Sequence, residues 1–184
     1  ITINISSPNT TKLRNFHEYE KLEDLLKTFN KIKKEKKTSI PLFLKISPDI
    51  KDENVSDITD IVMKNNISGI ILTNTTNANR ENLNSKIKNE NGGLSGEPLQ
   101  KISTEMIKKF YSKINGQIPI IGVGGISSGK SAYEKIIAGA SLLQLYTGLI
   151  YEGPMVVKKI KKELIQILKA EGINNIKDAI GTGI

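Results

Sequence analysis

Strand-type and helix-type apolar patterns alternate along this chain, and that alternation limits the fold more than any single motif does. A period-two run from Ile1 to Ile5 ends at Ser6-Ser7-Pro8-Asn9, after which Leu22, Leu25, Leu26, Phe29 and Ile32 recur at helical spacing. The pattern repeats: the apolar run Pro41 to Ile46 breaks at Ser47-Pro48-Asp49, and Val55, Ile58, Ile61 and Val62 then share one helical face. Ile70 to Leu72 forms a third strand core. Met106, Ile107, Phe110 and Ile114 mark a helix ahead of a fourth strand, Ile118 to Val123, which runs into Gly124-Gly125. Ala132, Ile136 and Ile137 give the next helix, Leu142 to Tyr146 the fifth strand, and Val156, Ile160, Leu164 and Ile167 a closing helix opened by Pro154. Consecutive strands separated by helices need crossover connections, so the expected sheet is parallel, with helices over both faces or over the outer face alone. The chain opens on Ile1, not Met, inside an alternating apolar run, and it reads as a piece of a longer polypeptide.

Composition narrows the chemistry. At 184 residues, 38% apolar and 25% charged, the chain suits one soluble globular unit; a domain of this size buries roughly 70% of its unfolded surface. Zero Cys excludes disulfides, thiolate metal sites and thiol nucleophiles, and a single His excludes multi-histidine metal clusters. No run approaches the ~18 apolar residues of a membrane helix. The 27 Lys+Arg against 19 Asp+Glu give a charge of +8, but lysines crowd helical runs such as Lys31 to Lys37 and Lys158 to Lys162, which read as solvated faces. With 5% aromatic residues and no Trp, stacking platforms are scarce, and nucleic acid is not an expected partner.

Parallel strands bring their carboxyl ends to one edge, where ligands bind in barrels and open sheets alike. Here those ends read Asn4-Ile-Ser-Ser-Pro-Asn9-Thr10, Lys45-Ile-Ser-Pro-Asp49, Thr73-Asn74-Thr75-Thr76, Gly122-Val-Gly124-Gly125 and Tyr146-Thr147-Gly148. Amides and hydroxyls, one lysine and no cluster of acids suit a planar hydrogen-bonding heterocycle plus an anion, not paired-carboxylate or two-metal hydrolysis. Lys45 alternates with Leu44 and Ile46. If those two face helices, the ammonium faces the barrel axis, where it needs an anion. Asn4 is analogous, with a ligand or an interior network through Ser6 or Thr73 as its partner. By residue type alone Ser7 is a turn serine, and His17 has no assigned role. The irregular stretch from Asn77 to Leu99 exceeds the ~12 to 15 residues of an ordinary connection and is either a functional lid or an insertion.

Gly124-Gly-Ile-Ser-Ser-Gly129-Lys130-Ser131 matches the phosphate-binding string G-x-x-x-x-G-K-[ST] between a strand and a helix. No strand ends directly in the acid that such a site uses to help hold Mg²⁺, Asp49 coming closest behind a proline. Nucleotide hydrolysis through Gly124 to Ser131 is therefore the second reading, and a non-catalytic half-barrel serving as an interaction module the third. Gly92-Gly93-Leu94-Ser95-Gly96 is another place where backbone can approach a ligand or simply turn.

Taken in order, Asn4-Ile-Ser-Ser-Pro-Asn-Thr10, Lys45-Ile-Ser-Pro-Asp49, Thr73-Asn-Thr-Thr76, Gly92-Gly-Leu-Ser-Gly96, Ile118-Pro-Ile-Ile-Gly-Val-Gly-Gly125 and Leu145-Tyr-Thr147 resemble the successive signatures of dihydroorotate dehydrogenases. The likeness runs from Ile1 to about Gly181. It implies an α/β fold of (β/α)8 TIM-barrel type, of which this chain supplies about strands 4 to 8, residues 1–184 forming the C-terminal portion of one barrel domain. By resemblance Ser7 occupies the catalytic-base position, serine in the quinone-reducing, membrane-associated class 2 and cysteine in class 1. The lack of cysteine then implies class 2. Asn4, Asn9, Asn74 and Thr75 match pyrimidine-binding positions. Asn4, Lys45, Thr73, Gly96, Gly125, Tyr146 and Thr147 match FMN-binding positions, the last three around its phosphate. Lys130 falls outside this set, and no metal is implied. The implied reaction is FMN-dependent oxidation of dihydroorotate to orotate with quinone as acceptor, in pyrimidine biosynthesis. The implied location of the whole protein is peripheral, on a bacterial cytoplasmic or mitochondrial inner membrane, reached through an N-terminal segment not among these residues. The 184 residues alone are expected to be soluble and inactive and to bind FMN weakly or not at all.

Overall fold

The computed structural model describes residues 1–10, 12–78, 80, 81 and 83–184. Five parallel strands, β1 (Thr2–Asn4), β2 (Phe43–Ile46), β3 (Gly69–Leu72), β4 (Ile120–Val123) and β5 (Leu142–Gln144), pair in strict sequence order. A doubly wound open sheet reverses its strand order at a switch point. Sequential order with a helix after each strand instead traces the wall of a (β/α) barrel.

The helices form where the apolar period predicts. In α1 (Tyr19–Glu35), Leu22 and Leu26 are fully buried, and in α2 (Asp52–Lys64) Val55, Ile58, Ile61 and Val62 are. Asp52 and Glu53 in the first turn of α2 and Lys64 in its last complement the helix dipole. The helix α3 (Gln100–Ile114) buries Met106, Ile107, Phe110 and Ile114 and stops at Asn115, whose left-handed backbone (φ 49°) ends it. Ser128 and Ser131 cap α4 (Gly129–Ile137) reciprocally. The closing helix α6 (Val156–Ala170) begins two residues beyond Pro154. One short helix was not expected from sequence: α5 (Thr147–Glu152) directly follows Tyr146, so β5 ends at Gln144 and not at Tyr146.

Helices cover one face of the sheet. Leu44, Ile46, Ile70, Leu72 and Ile120 join the helix-side core with α1, α2 and α3 residues. The other face carries a row in one register, Asn4, Lys45, Ile71, Ile121 and Leu142, one residue from each strand. Its middle is apolar and buried, with Ile71 3% exposed, while Leu142 at the β5 edge is 58% exposed. One layer below, the Phe43 ring occupies the space that a Cβ on its register partner Gly69 would need. The inner face is therefore packed by side chains below and polar towards its carboxyl edge. No described helix is long and apolar enough to cross a membrane.

Candidate active site

A cavity of about 290 Å³ lies at the carboxyl edge of β2 to β5, lined by Lys45, Thr73, Asn74, Thr75, Gly96, Gly125, Tyr146 and Thr147 among others. These are eight of the residues singled out in the sequence, drawn from four strand ends and the long loop. Lys45 is half-buried in its wall. Burial pushes its ammonium below the ordinary lysine value, and no acidic group offsets that shift. A cation desolvated in this way is stabilised by an anion brought to it.

Asn4 and Asn74, from strands two apart in the sheet, meet through Ser6. The Asn4 Oδ1 accepts the Ser6 hydroxyl at 2.7 Å and its amide N–H at 3.1 Å, while Asn74 Nδ2 donates to Ser6 Oγ at 2.9 Å. Asn74 Oδ1 in turn accepts the Thr75 N–H at 2.8 Å. Ser6 is fully buried and Asn4 is exposed on the open side of the sheet. The interior network anticipated for Asn4 thus exists; Asn74 lines the cavity, and Asn4, tied to it through Ser6, lies outside the lining.

Ser7 is partly exposed at the loop after β1. Its Oγ accepts the Asn9 N–H at 3.3 Å and lies 3.3 Å from the Thr10 hydroxyl, which donates to it. The Asn9 side chain is exposed and lines a separate recess with Asn77, Glu90 and Gly92, so the structure does not bring it into the cavity with Lys45. Tyr146 is 77% exposed.

Glycines shape the far wall. Gly125 has φ +70° and sits so close to Gln100 that any Cβ would collide with it. Gly96 (φ +80°) packs on Thr147, whose Cγ2 would lie 3.0 Å from a Cβ, and the Thr147 hydroxyl donates to Ser95 at 2.9 Å. Gly93 similarly leaves room for Thr75, and Gly148 for the Ile126 carbonyl. The long loop is pinned at its neck by paired bonds between Thr76 and Leu94 (3.1 and 2.7 Å). Arg80 donates to the Lys88 and Glu90 carbonyls at 3.0 and 2.7 Å, and to that of Gly92. Asn79 and Asn82 of the stretch considered as a lid lie outside the described residues.

The Walker-like string is consumed internally. The Gly129 N–H donates to Glu163 at 2.6 Å, and Ser131 Oγ accepts the N–H groups of Ser127 and Ser128, both at 3.0 Å. A Cβ on Gly129 would lie 2.8 Å from the Leu164 backbone nitrogen, and Lys130 is exposed. The amides of Ser127, Ser128, Gly129 and Ser131 are thus bonded within the protein, and the helix start is packed on α6, which keeps the string from wrapping a triphosphate. Among the described residues no group of three His, Asp or Glu is placed to hold a metal ion.

Sequence reasoning missed the residues that tie the loops together. Arg14 pairs with Asp49 at 2.8 Å and also donates to the Ser6 and Thr75 carbonyls at 3.4 and 3.3 Å. His17, buried behind it, bonds the Arg14 carbonyl through Nδ1 at 2.8 Å and accepts the Ser47 N–H on Nε2 at 3.4 Å. Accepting on Nε2 places the proton on Nδ1, and burial holds this imidazole below the ordinary histidine range. A signal was present: of the 27 basic residues, all but Arg14 and Arg80 are lysine.

Fold and cavity together define a parallel βα-barrel protein with a ligand site of amides, hydroxyls and one ammonium at the strand ends. A family model described as dihydroorotate dehydrogenase matches residues 1–168. The chain is 52% identical over 164 residues to a protein named dihydroorotate dehydrogenase (quinone) from Christiangramia forsetii, covering 89% of this chain and 48% of that one. It is 43% identical over 185 residues to the mitochondrial dihydroorotate dehydrogenase (quinone) of Mus musculus, covering 98% of this chain and 46% of the mouse protein. The crystal structure of ligand-free dihydroorotate dehydrogenase from Eimeria tenella superposes with a TM-score of 0.92 at 40% identity, over 98% of this chain and 54% of that one. The chain belongs to the dihydroorotate dehydrogenase family, and its sheet is an arc of that family's barrel. It spans about half the length of the curated relatives it matches.

Proposed function

We propose that the whole protein to which these residues belong oxidises dihydroorotate to orotate with FMN as cofactor and a quinone as electron acceptor, peripherally at a membrane surface, in pyrimidine biosynthesis. The observation that carries this reading is the convergence of Asn4, Ser6 and Asn74 in one hydrogen-bonded chain beside a cavity whose wall holds the half-buried Lys45. Two fixed amides suit the edges of a planar pyrimidine, and a desolvated ammonium suits an anionic, electron-rich ring.

The residues present fit FMN. Gly96 and Gly125, packed on Thr147 and Gln100 with positive φ, present bare backbone in the cavity wall, and the loops after β4 and β5 are those that commonly hold a phosphate in barrels. Lys45, Thr73, Gly96, Gly125, Tyr146 and Thr147 would hold the cofactor, and Asn4 would serve both cofactor and substrate. When bound, FMN supplies the acceptor for the hydride leaving C6 of dihydroorotate.

Ser7 takes the C5 proton in this reading. A serine hydroxyl is a weak base and needs a route for its own proton. The Thr10 oxygen, 3.3 Å from Ser7 Oγ, can accept that proton once its own O–H, which donates to Ser7 in the resting arrangement, turns away. Asn74 and Thr75 orient the pyrimidine, Asn4 is shared, and Asn9 would have to swing inwards from its exposed position to join them. Lys45 stabilises negative charge that develops on the ring system, an electrostatic contribution that needs no rearrangement during reaction.

The test is made on the full-length protein. It should carry a flavin absorption band, and Ser7→Ala should slow dihydroorotate-dependent flavin reduction by about 10²- to 10⁴-fold at unchanged flavin content. Lys130→Ala should change neither. A colourless protein would end the flavin reading, and an unchanged rate in Ser7→Ala would remove Ser7 from the base position.

A further inference from the structure

Four backbone or side-chain groups from the loops after β1 and β3 converge on one ion pair outside the cavity, whose acid comes from the loop after β2. The Arg14 guanidinium donates to Asp49 (2.8 Å), to the Ser6 carbonyl in the loop carrying Ser7 (3.4 Å) and to the Thr75 carbonyl after β3 (3.3 Å). The Asp49 carboxylate, after β2, also accepts the Thr76 hydroxyl and the Asn77 N–H (3.1 Å). Neither residue lines the cavity. Their side chains are 28% and 18% exposed, so the pair is shielded without being desolvated outright.

We propose that Arg14 and Asp49 form a positioning pair that sets the Ser7 loop against the Asn74–Thr75 segment; the roles of those two segments rest on the function proposed above. Arginine presents its donors as a rigid planar fork, and each arm here goes to a different loop. Lysine concentrates its donors on one freely rotating nitrogen and cannot make the same three bonds. Arg14 is one of only two arginines in a lysine-rich chain, and both arginines bind several loop oxygens. His17 extends the tie, since its Nδ1 bonds the Arg14 carbonyl and its Nε2 accepts from Ser47 beside Asp49. The pair acts only on the relative placement of groups that would meet the substrate, and a displacement near 1 Å between reacting groups costs about 10²-fold in rate.

The experiment compares Arg14→Lys, Arg14→Gln, Asp49→Asn and the Arg14→Gln/Asp49→Asn double variant in the full-length flavin-loaded protein. Each single variant is expected to lower kcat by about 10- to 100-fold, with KM for dihydroorotate, flavin stoichiometry and Tm close to wild type. Arg14→Lys is expected not to restore the rate, because charge without the fork leaves Ser6 and Thr75 untied. The double variant is expected to be no slower than the slower single, as for residues acting through one contact. Amide hydrogen exchange gives a readout independent of turnover: Asp49→Asn should speed exchange at Asn77 and in residues 6–10 while the β2 and β3 amides keep their protection. Full activity in Arg14→Lys, losses that multiply in the double variant, or a rate loss that tracks flavin content or Tm would overturn the proposal. A wild-type protein without dihydroorotate-dependent flavin reduction overturns the function and not the pair, which the exchange pattern then decides alone.

Discussion

Lys45 is the residue whose surroundings ask most plainly for a ligand. Its strand neighbours Leu44 and Ile46 are fully buried on the helix side, which turns its ammonium to the inner face, half out of water. Lys45→Met should keep the fold, since the aliphatic stem remains, yet lower flavin reduction by about 10²-fold through loss of one preorganised charge; stopped-flow absorbance measures it, and an unaltered rate would show that the cation is not used. Strand alternation made Lys45 and Asn4 readable in advance, because a two-residue period assigns a face without knowledge of the partner. It could not reveal that Ser6 joins Asn4 to Asn74, because that bond depends on β1 and β3 flanking β2. Arg14, Asp49 and His17 escaped for the same reason: their partners are loop carbonyls and amides, which carry no residue-type signature.

Helix and strand identities were legible wherever a segment was long enough to show a period. All four long helices and the short α4 carry buried residues at the expected spacing. The six residues of α5 are too few for a period, and Gly148 in its first turn packs against the Ile126 carbonyl, a contact of the tertiary structure that has no sequence signature. The α3–α4 interface holds a residue that composition would have assigned to the surface. Lys135 is wholly buried, donating to the Gln100 carbonyl at 2.7 Å and the Thr104 hydroxyl at 2.6 Å, and burial brings its pKa from 10.5 down to about 7. Between those values the unfolded chain binds a proton that the folded chain does not, so this group makes stability rise with pH across that window. The denaturation free energy of the whole protein minus that of Lys135→Met should therefore increase from about pH 7 to about pH 10 and flatten below it. A difference that is flat throughout would mean that Lys135 titrates normally. The same contacts hold Gln100 against Gly125, so α4 buttresses the loop that would carry the phosphate.

Across the molecule, the helices cover one face and the other presents Asn4, Lys45 and Leu142 in a single row. Ile1 is 63% and Leu142 58% exposed, at opposite ends of the sheet. Edges of this kind offer unpaired backbone and apolar surface to other strands. The 184 residues expressed by themselves are therefore expected to bind FMN at least about 100-fold more weakly than the full-length protein, and to show no dihydroorotate-dependent dye reduction. Fluorescence titration with FMN tests this, and comparable affinity would mean that the described cavity is sufficient. At this scale the order of elements made the parallel sheet legible but left one-sided and two-sided helix cover open, because the apolar runs of a parallel sheet look alike in both cases; the barrel followed from the family resemblance.

The Thr76–Leu94 pairing ties off the long excursion at its base, leaving Thr75 and Gly96 on the cavity side of the knot. Extra length spliced beyond that point costs only slowly growing closure entropy. The tip can thus drift in size and sequence over evolutionary time while the binding mouth keeps its shape.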